Sequence, residues 1–378
     1  MNTDSTTSSG GARVLMFSQR NIYEPEVWRC SFNEFEKIVQ NIDSVEVLAP
    51  KPNKRWFYQR KSHAMRMGKI SSIPVNPGIS KIRLDRYYDL FIAVCEKPSE
   101  LLNVNVVEGW KDYCKTSICW LTEFYVREMP FCKSSLKVLS KFDYVLFMFD
   151  TNEPFKQVIQ GEGSYLPAGI DTTLFCPYPN PPKRHIDVLS IGRRSEQTHQ
   201  ALLSMAYENK IFYVYDTLTN LHSSNIEQHR FLMANMAKRS RYFIVNPGKI
   251  DSAGETGGQS EFGYRYFEGA APGTIMIGDI PKNKEFGKYF GYADAVIHLP
   301  FGSGKIGEII EELDRQPERQ KQIRKTNVVK SLLNHDWVYR WETILKMAGL
   351  KPVPQLAERK RHLEDLSERV SNEWDGES

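Results

Sequence analysis

A chain of 378 residues with 41% hydrophobic and 25% charged residues has the apolar content of globular cores and is too long for one core of typical size. Its formal charge of +4 suits anionic small ligands and excludes the dense positive charge that wholesale nucleic-acid coating demands. The six scattered cysteines form no CxxC pair and no Cys/His cluster at zinc spacing, and no apolar run reaches membrane-spanning length, so the expectation is a cytoplasmic protein with reduced thiols and no transmembrane segment.

Residues 1–12 are Ser/Thr/Gly-rich without an apolar signal core and read as a disordered tail. Residues 13–18 (RVLMFS) read as a first buried parallel strand opening into a loop, and 31–42 as a helix with Ser31 as N-cap and Glu34 completing a capping box. Strand-like runs follow at 45–48, 90–95, 117–121 and 144–149. This βαβ alternation predicts a parallel sheet covered on both faces, with ligands at the carboxyl ends of its strands. Between positions 50 and 84 the character changes: Lys51, Lys54, Arg55, Arg60, Lys61, Arg66, Lys69 and Lys81 interleave with Trp56, Phe57 and Tyr58, without any Asp or Glu. Such a stretch serves single-stranded nucleic acid, a membrane surface or another anionic acceptor, or is simply a solvated surface.

The proline-rich stretch that begins SYLPAGIDTTLFCP, at 164–177, reads as an interdomain linker. The pattern then restarts, with strands at 186–191, 211–215 and 242–245, helices at 197–207 and 229–238, and Gly192-Arg193-Arg194 closing the first strand. Residues 244–281 read as strand, Gly/Ser/Thr-rich loop, helix and strand. A loop of this kind opening onto a helix presents backbone N–H groups and a positive dipole end to a phosphate. Arg265 and Glu268, three apart, share a helical face and suit an anion and a sugar diol respectively; the plain alternative is a βαβ crossover with a solvated Arg/Glu pair. A strand at 295–299 and helices at 306–313, 320–333 and 335–348 follow, then a charged tail with Leu356, Leu363, Leu366 and Val370 on one stripe.

The expected class is α/β: two Rossmann-like doubly wound domains facing across a cleft. The bounds are 13–165 for an N-terminal domain, 166–182 for the linker, 183–333 for a C-terminal domain, 334–350 for a further helix and 351–378 for a charged helix or tail. The GSGK at 302–305 lacks the rest of a phosphate loop, and no nucleophile elbow, HExxH or GxGxxG is present, so NAD chemistry is not expected.

The order of these signals resembles the GT-B glycosyltransferases, and within them the CgeB-like group, itself distantly related to the group 1 glycosyl transferases. The residues that carry the likeness are YLPAGIDTTLFCP, DVLSIGRR, RYFEGAAPGTIMIGD, FGYADAVIHLP and DWVYRWETIL, which span most of 164–348; the first half is similar in topology only. The resemblance implies transfer of a sugar from a nucleoside diphosphate sugar such as a UDP-sugar, which acts as co-substrate without a further cofactor or metal. It implies a donor site in the C-terminal domain, with Glu268 on the ribose hydroxyls. Gly192, Arg193, Arg194 and Arg265, with backbone amides up to Tyr264, would meet the diphosphate, only one of the two adjacent arginines facing the cleft.

One departure concerns the sugar-contacting glutamate that such enzymes place just before an F-G pair. Aligning Phe262-Gly263 puts Ser260 at that place and Glu261 one position late. Either Glu261 substitutes or that carboxylate is lacking, which leaves a retaining or an inverting reaction open. Inversion needs a general base in the first half: Glu123 in CWLTEFY, with Asp150 and Asp171 as other acidic positions. Asp216 is placed to bound a nucleobase pocket, while His298 reads as a core histidine and His335 as a neighbour of a helix N-terminus. The rival readings are a nucleotide-sugar epimerase and a catalytically silent nucleotide-binding scaffold, the latter favoured by Ser260.

Overall fold

The computed structural model describes residues 11–23, 26–52, 59, 60, 62, 63, 66, 76, 78–158, 163–217 and 225–374. Its first half carries β1 (Val14–Phe17), β2 (Val45–Leu48), β3 (Ile82–Arg83), β4 (Tyr88–Cys95), β5 (Val107–Glu108), β6 (Cys114–Leu121), β7 (Tyr144–Phe147) and β8 (Gly163–Tyr165). These form a six-stranded parallel sheet in the order β2-β1-β4-β6-β7-β8, with β3 and β5 paired apart. The second half carries β9 (Ile186–Ser190), β10 (Tyr213–Tyr215), β11 (Ser240–Val245), β12 (Ile275–Gly278) and β13 (Ile297–His298), a parallel sheet in the order β10-β9-β11-β12-β13. Strands such as β1 (VLMF) and β12 (IMIG) are buried along their whole length, as central strands covered on both faces must be. In both sheets the strand order reverses beside the first strand, between β1 and β4 and between β9 and β11. Crevices at the carboxyl ends open at such switch points.

The helix Cys30–Ile42 buries Ser31, Glu34, Phe35, Ile38, Val39 and Ile42, a stripe at helical spacing. Its N-cap is Arg29 without a side-chain cap bond, so the capping box expected from Ser31 and Glu34 does not form. Both residues lie inside the helix, and Glu34 is turned to the interior because its carboxylate finds stronger donors there. His298 is another departure: it is exposed, 3.5 Å from Asp279, because β13 is an edge strand. Most of the basic segment, including Lys54, Arg55, Trp56, Phe57, Tyr58, Lys61 and Lys69, lies outside the described residues. Among the described residues no helix is long and apolar enough to cross a membrane.

The chain crosses between the halves twice. The outgoing linker and the returning segment pair through Ile170 and Asp336: the Ile170 N–H donates to the His335 carbonyl at 3.0 Å and the Trp337 N–H to the Ile170 carbonyl at 3.2 Å. A Cβ at Gly169 would stand 2.7 Å from the Trp337 ring, so only glycine lets the two crossings approach this closely. The helix Trp337–Met347 then packs on the first half, with Trp337 and Trp341 against Phe35 at 5.3 and 6.2 Å and the Trp341 indole N–H donating to Asp43 at 2.8 Å. The helix Pro354–Glu373 follows, burying Leu356, Leu363, Leu366 and Val370, and its Arg359 donates to both Asp171 and Asp336. His335 is fully buried, which holds its imidazole neutral with its pKa pushed down to about 3.

Candidate functional site

A cleft of about 1180 Å³ opens between the halves. The second half supplies most of its wall from the carboxyl edge of its sheet: Gly192, Arg193 and Arg194 after β9, Tyr215 at the end of β10 and Asp216 after it, Asp251 after β11, and Tyr264, Arg265 and Glu268 from the helix Tyr264–Ala270. The first half contributes Val27 and Ser31, and the Tyr264 ring meets Phe32 edge-on at 6.0 Å. The helix Ile226–Lys238 closes the back with His229, Arg230, Met233 and Met236.

Gly192 holds a φ of +90°, a region where a side chain is strained, and its N–H donates to both oxygens of Asp216 at 3.1 and 2.9 Å. That turn seats both following arginines on the cleft wall, where one alone was expected. Arg193 donates to Asp251 at 2.6 Å and to the Ser252 hydroxyl at 2.9 Å. Arg194 donates to the carboxylate and the carbonyl of Asp216, both at 2.6 Å, and lies over the Tyr215 ring at 5.2 Å. The edge of the Arg265 guanidinium, Nε and Nη2, faces Gly192, 3.7 Å from where a Cβ would stand.

Arg265 also donates to Glu268 through Nη1, and so does the buried Arg230 through its own Nη1. Burial alone would raise the Glu268 carboxyl, but Arg265 and Arg230 outweigh it and hold the pKa down to about 2, so Glu268 stays ionised throughout the physiological range. Around the wall Arg193, Arg194, Arg230 and Arg265 are matched by Glu196, Asp216, Asp251 and Glu268. An anion is therefore attracted by preorganised N–H groups rather than by net charge. His199, hydrogen-bonded to Tyr213 at 2.9 Å, has its pKa lowered by burial and by Arg194, and with Tyr215 makes an aromatic wall suited to a base.

Gly192, Arg193, Arg194, Tyr264, Arg265 and Glu268 thus come together. Glu123 and Glu261 are not on the cleft wall. Glu123 follows β6 and pairs with Lys249 of the second half at 2.7 Å; burial raises its pKa, but Lys249 outweighs burial and leaves it lowered. Glu261 is 1% exposed and accepts from the Asp150 N–H at 2.9 Å, from Gln259 at 2.6 Å and from Asn283. It ties the two halves together, and burial pushes its carboxyl up to about 7 against those bonds. Asp150 pairs with Lys284 at 3.4 Å, and Asp171 caps the helix Thr172–Phe175.

Sequence reasoning missed Arg230. It shares a buried stripe with Met233, Ala234 and Ala237, and a charged residue within such a stripe is the signal that marks a buried partner.

No family profile and no curated protein sequence matches the chain. Solved structures do. The N-terminal domain of the trehalose-6-phosphate phosphatase of Candida albicans is 7% identical with a TM-score of 0.56, over 92% of this chain and 99% of that one. An alpha-glucosyltransferase in complex with UDP and a 13-mer DNA containing a central A:G mismatch is 11% identical with a TM-score of 0.51, over 89% and 99%. An alpha-glucosyltransferase in complex with UDP and a 13-mer DNA containing a HMU base is 10% identical with a TM-score of 0.50, over 90% and 100%. Identities this low establish architecture alone, and the architecture is GT-B: two Rossmann-like α/β domains facing across a cleft.

Proposed function

We propose that the protein is a glycosyltransferase that moves a sugar from a nucleoside diphosphate sugar, a UDP-sugar first among them, to an acceptor hydroxyl. The observation that carries this is the convergence of the Gly192 turn and the Arg265–Glu268 pair on one cleft at the switch point of the second sheet. In this reading Glu268 accepts from the ribose diol, while Arg265, Arg193 and Arg194 meet the charge that develops on the leaving diphosphate, without a required metal. The motifs at 164–348 favour the CgeB-like group within this class.

The acceptor binds from the first half, with Glu123 as the base that takes its proton once Lys249 shifts aside. For the acceptor we propose an anionic polymer, with DNA to be tried first. The basic segment supports it, as does the fold shared with structures described as holding DNA. Calorimetry with UDP, GDP and TDP, followed by donor turnover with and without DNA, tests the reading. Absence of both binding and turnover with all three nucleotides overturns it; release of an isomerised donor without any acceptor indicates an epimerase instead.

A further inference from the structure

Glu34 sits in the first half, within the apolar stripe of the helix Cys30–Ile42, and is not on the cleft wall. Its Oε1 accepts from the Asp171 N–H of the linker at 2.8 Å and from the Trp337 indole of the returning helix at 2.7 Å. Its Oε2 accepts from Arg230 Nε at 2.8 Å. Arg230 donates in turn to Glu268, and Arg265 to the other oxygen of Glu268. An unbroken run of charge-assisted bonds therefore leads from the first half to the cleft. The side chains of Glu34, Arg230 and Glu268 are 6%, 8% and 5% exposed, and that of Arg265, at its end, 34%.

Stability is a poor reason for such a run, because packed apolar residues of similar volume would serve as well as buried ion pairs or better. What it does supply is orientation. A planar guanidinium spanning two carboxylates fixes the setting of both, and here one of them faces the cleft.

We propose that Glu34 is a positioning residue for the donor site: through Arg230 it holds Glu268 and Arg265 in the setting that grips a nucleoside diphosphate, so that donor affinity depends on how the first half is docked. This rests on the donor-cleft reading above.

The test is calorimetric titration of UDP into the full-length protein and its Glu34→Gln, Glu268→Gln and double variants, each below its own melting temperature. Glu34→Gln is expected to weaken UDP binding about tenfold, and the double variant to bind little worse than the poorer single variant, since the two residues act along one run. Trp337→Phe removes another bond to Glu34 while leaving Arg230 in place, and is expected to lower the melting temperature with UDP affinity unchanged. Arg230→Lys, which keeps the charge but cannot span both carboxylates, is expected to match Glu34→Gln and stands in for it if that variant does not fold. Unchanged UDP affinity in Glu34→Gln and Arg230→Lys beside a loss in Arg265→Ala overturns the positioning role while leaving the donor cleft standing. Equal weakening by Trp337→Phe reduces the effect to general loosening and also overturns it. A wild-type protein that binds no UDP removes both readings.

Discussion

At the scale of single residues the carboxylates sort by what surrounds them. Glu268, ionised down to about pH 2 by its two arginines, is expected to give the proposed UDP binding no pH dependence of its own above about pH 4, which calorimetry across pH checks. Replacing Arg265 by Ala removes a guanidinium from the cleft and is expected to weaken UDP about tenfold to a hundredfold in calorimetry, with the fold retained because the side chain is partly exposed. Glu261 behaves in the opposite way. Its carboxyl is raised from 4.5 to about 7, so its contribution to stability is fully present below 4.5 and lost as pH rises through about 7. The loss amounts to about 3 kcal/mol at most. Glu261→Gln cannot ionise, so it lacks this pH-dependent loss. Its melting temperature relative to wild type is expected to rise between pH 4.5 and pH 7.5; a constant difference contradicts the assignment.

At the scale of elements, the parallel strands were legible because a strand buried on both faces is a short, continuous apolar run, as in VLMF and YVLF. The Gly192 turn and the Arg265–Glu268 spacing were legible for similarly local reasons. Glu34 was not: read along the chain, Ser31 and Glu34 spell a capping box, whereas the partner that decides the matter, Arg230, lies 196 positions away. The half-buried setting of Glu123 and the buried one of Glu261 were hidden in the same way, since Lys249 and the Asp150 amide reach them only once the halves dock. The turn after β9 offers a sharp check. Alanine at Gly192 forces a side chain onto a φ of +90° and sets a methyl against the Arg265 guanidinium. A loss of about 1–2 kcal/mol in denaturant unfolding is expected, together with weaker UDP binding. A variant as stable as wild type would show that the turn relaxes.

At the scale of the whole molecule, one apolar cluster holds Val14, Phe35 and Trp120 of the first half together with Phe243 and Tyr266 of the second and Trp341 of the returning helix. The halves therefore share a core, and calorimetry is expected to show one unfolding transition, two resolved transitions being the contrary result. Trp341→Ala, which leaves a cavity in that cluster and removes one donor from Asp43, should lower the single transition at a cost of about 3–5 kcal/mol. The paired crossings at Ile170 and Asp336 set the mechanics of any opening. Two backbone segments bonded side by side behave as a door pin rather than a tether: they permit a swing about one axis and resist sliding or twisting. Under such a swing the contacts gathered at the pin, Glu34 with Asp171 and Trp337, keep their lengths. Contacts across the halves that involve no residue of the crossing, among them Glu123 with Lys249, Glu261 with Asp150 and Glu34 with Arg230, are the ones that would part. Parting the first would strip Glu123 of the lysine that holds its pKa down, so any opening of the halves and the charge balance at Glu123 are coupled.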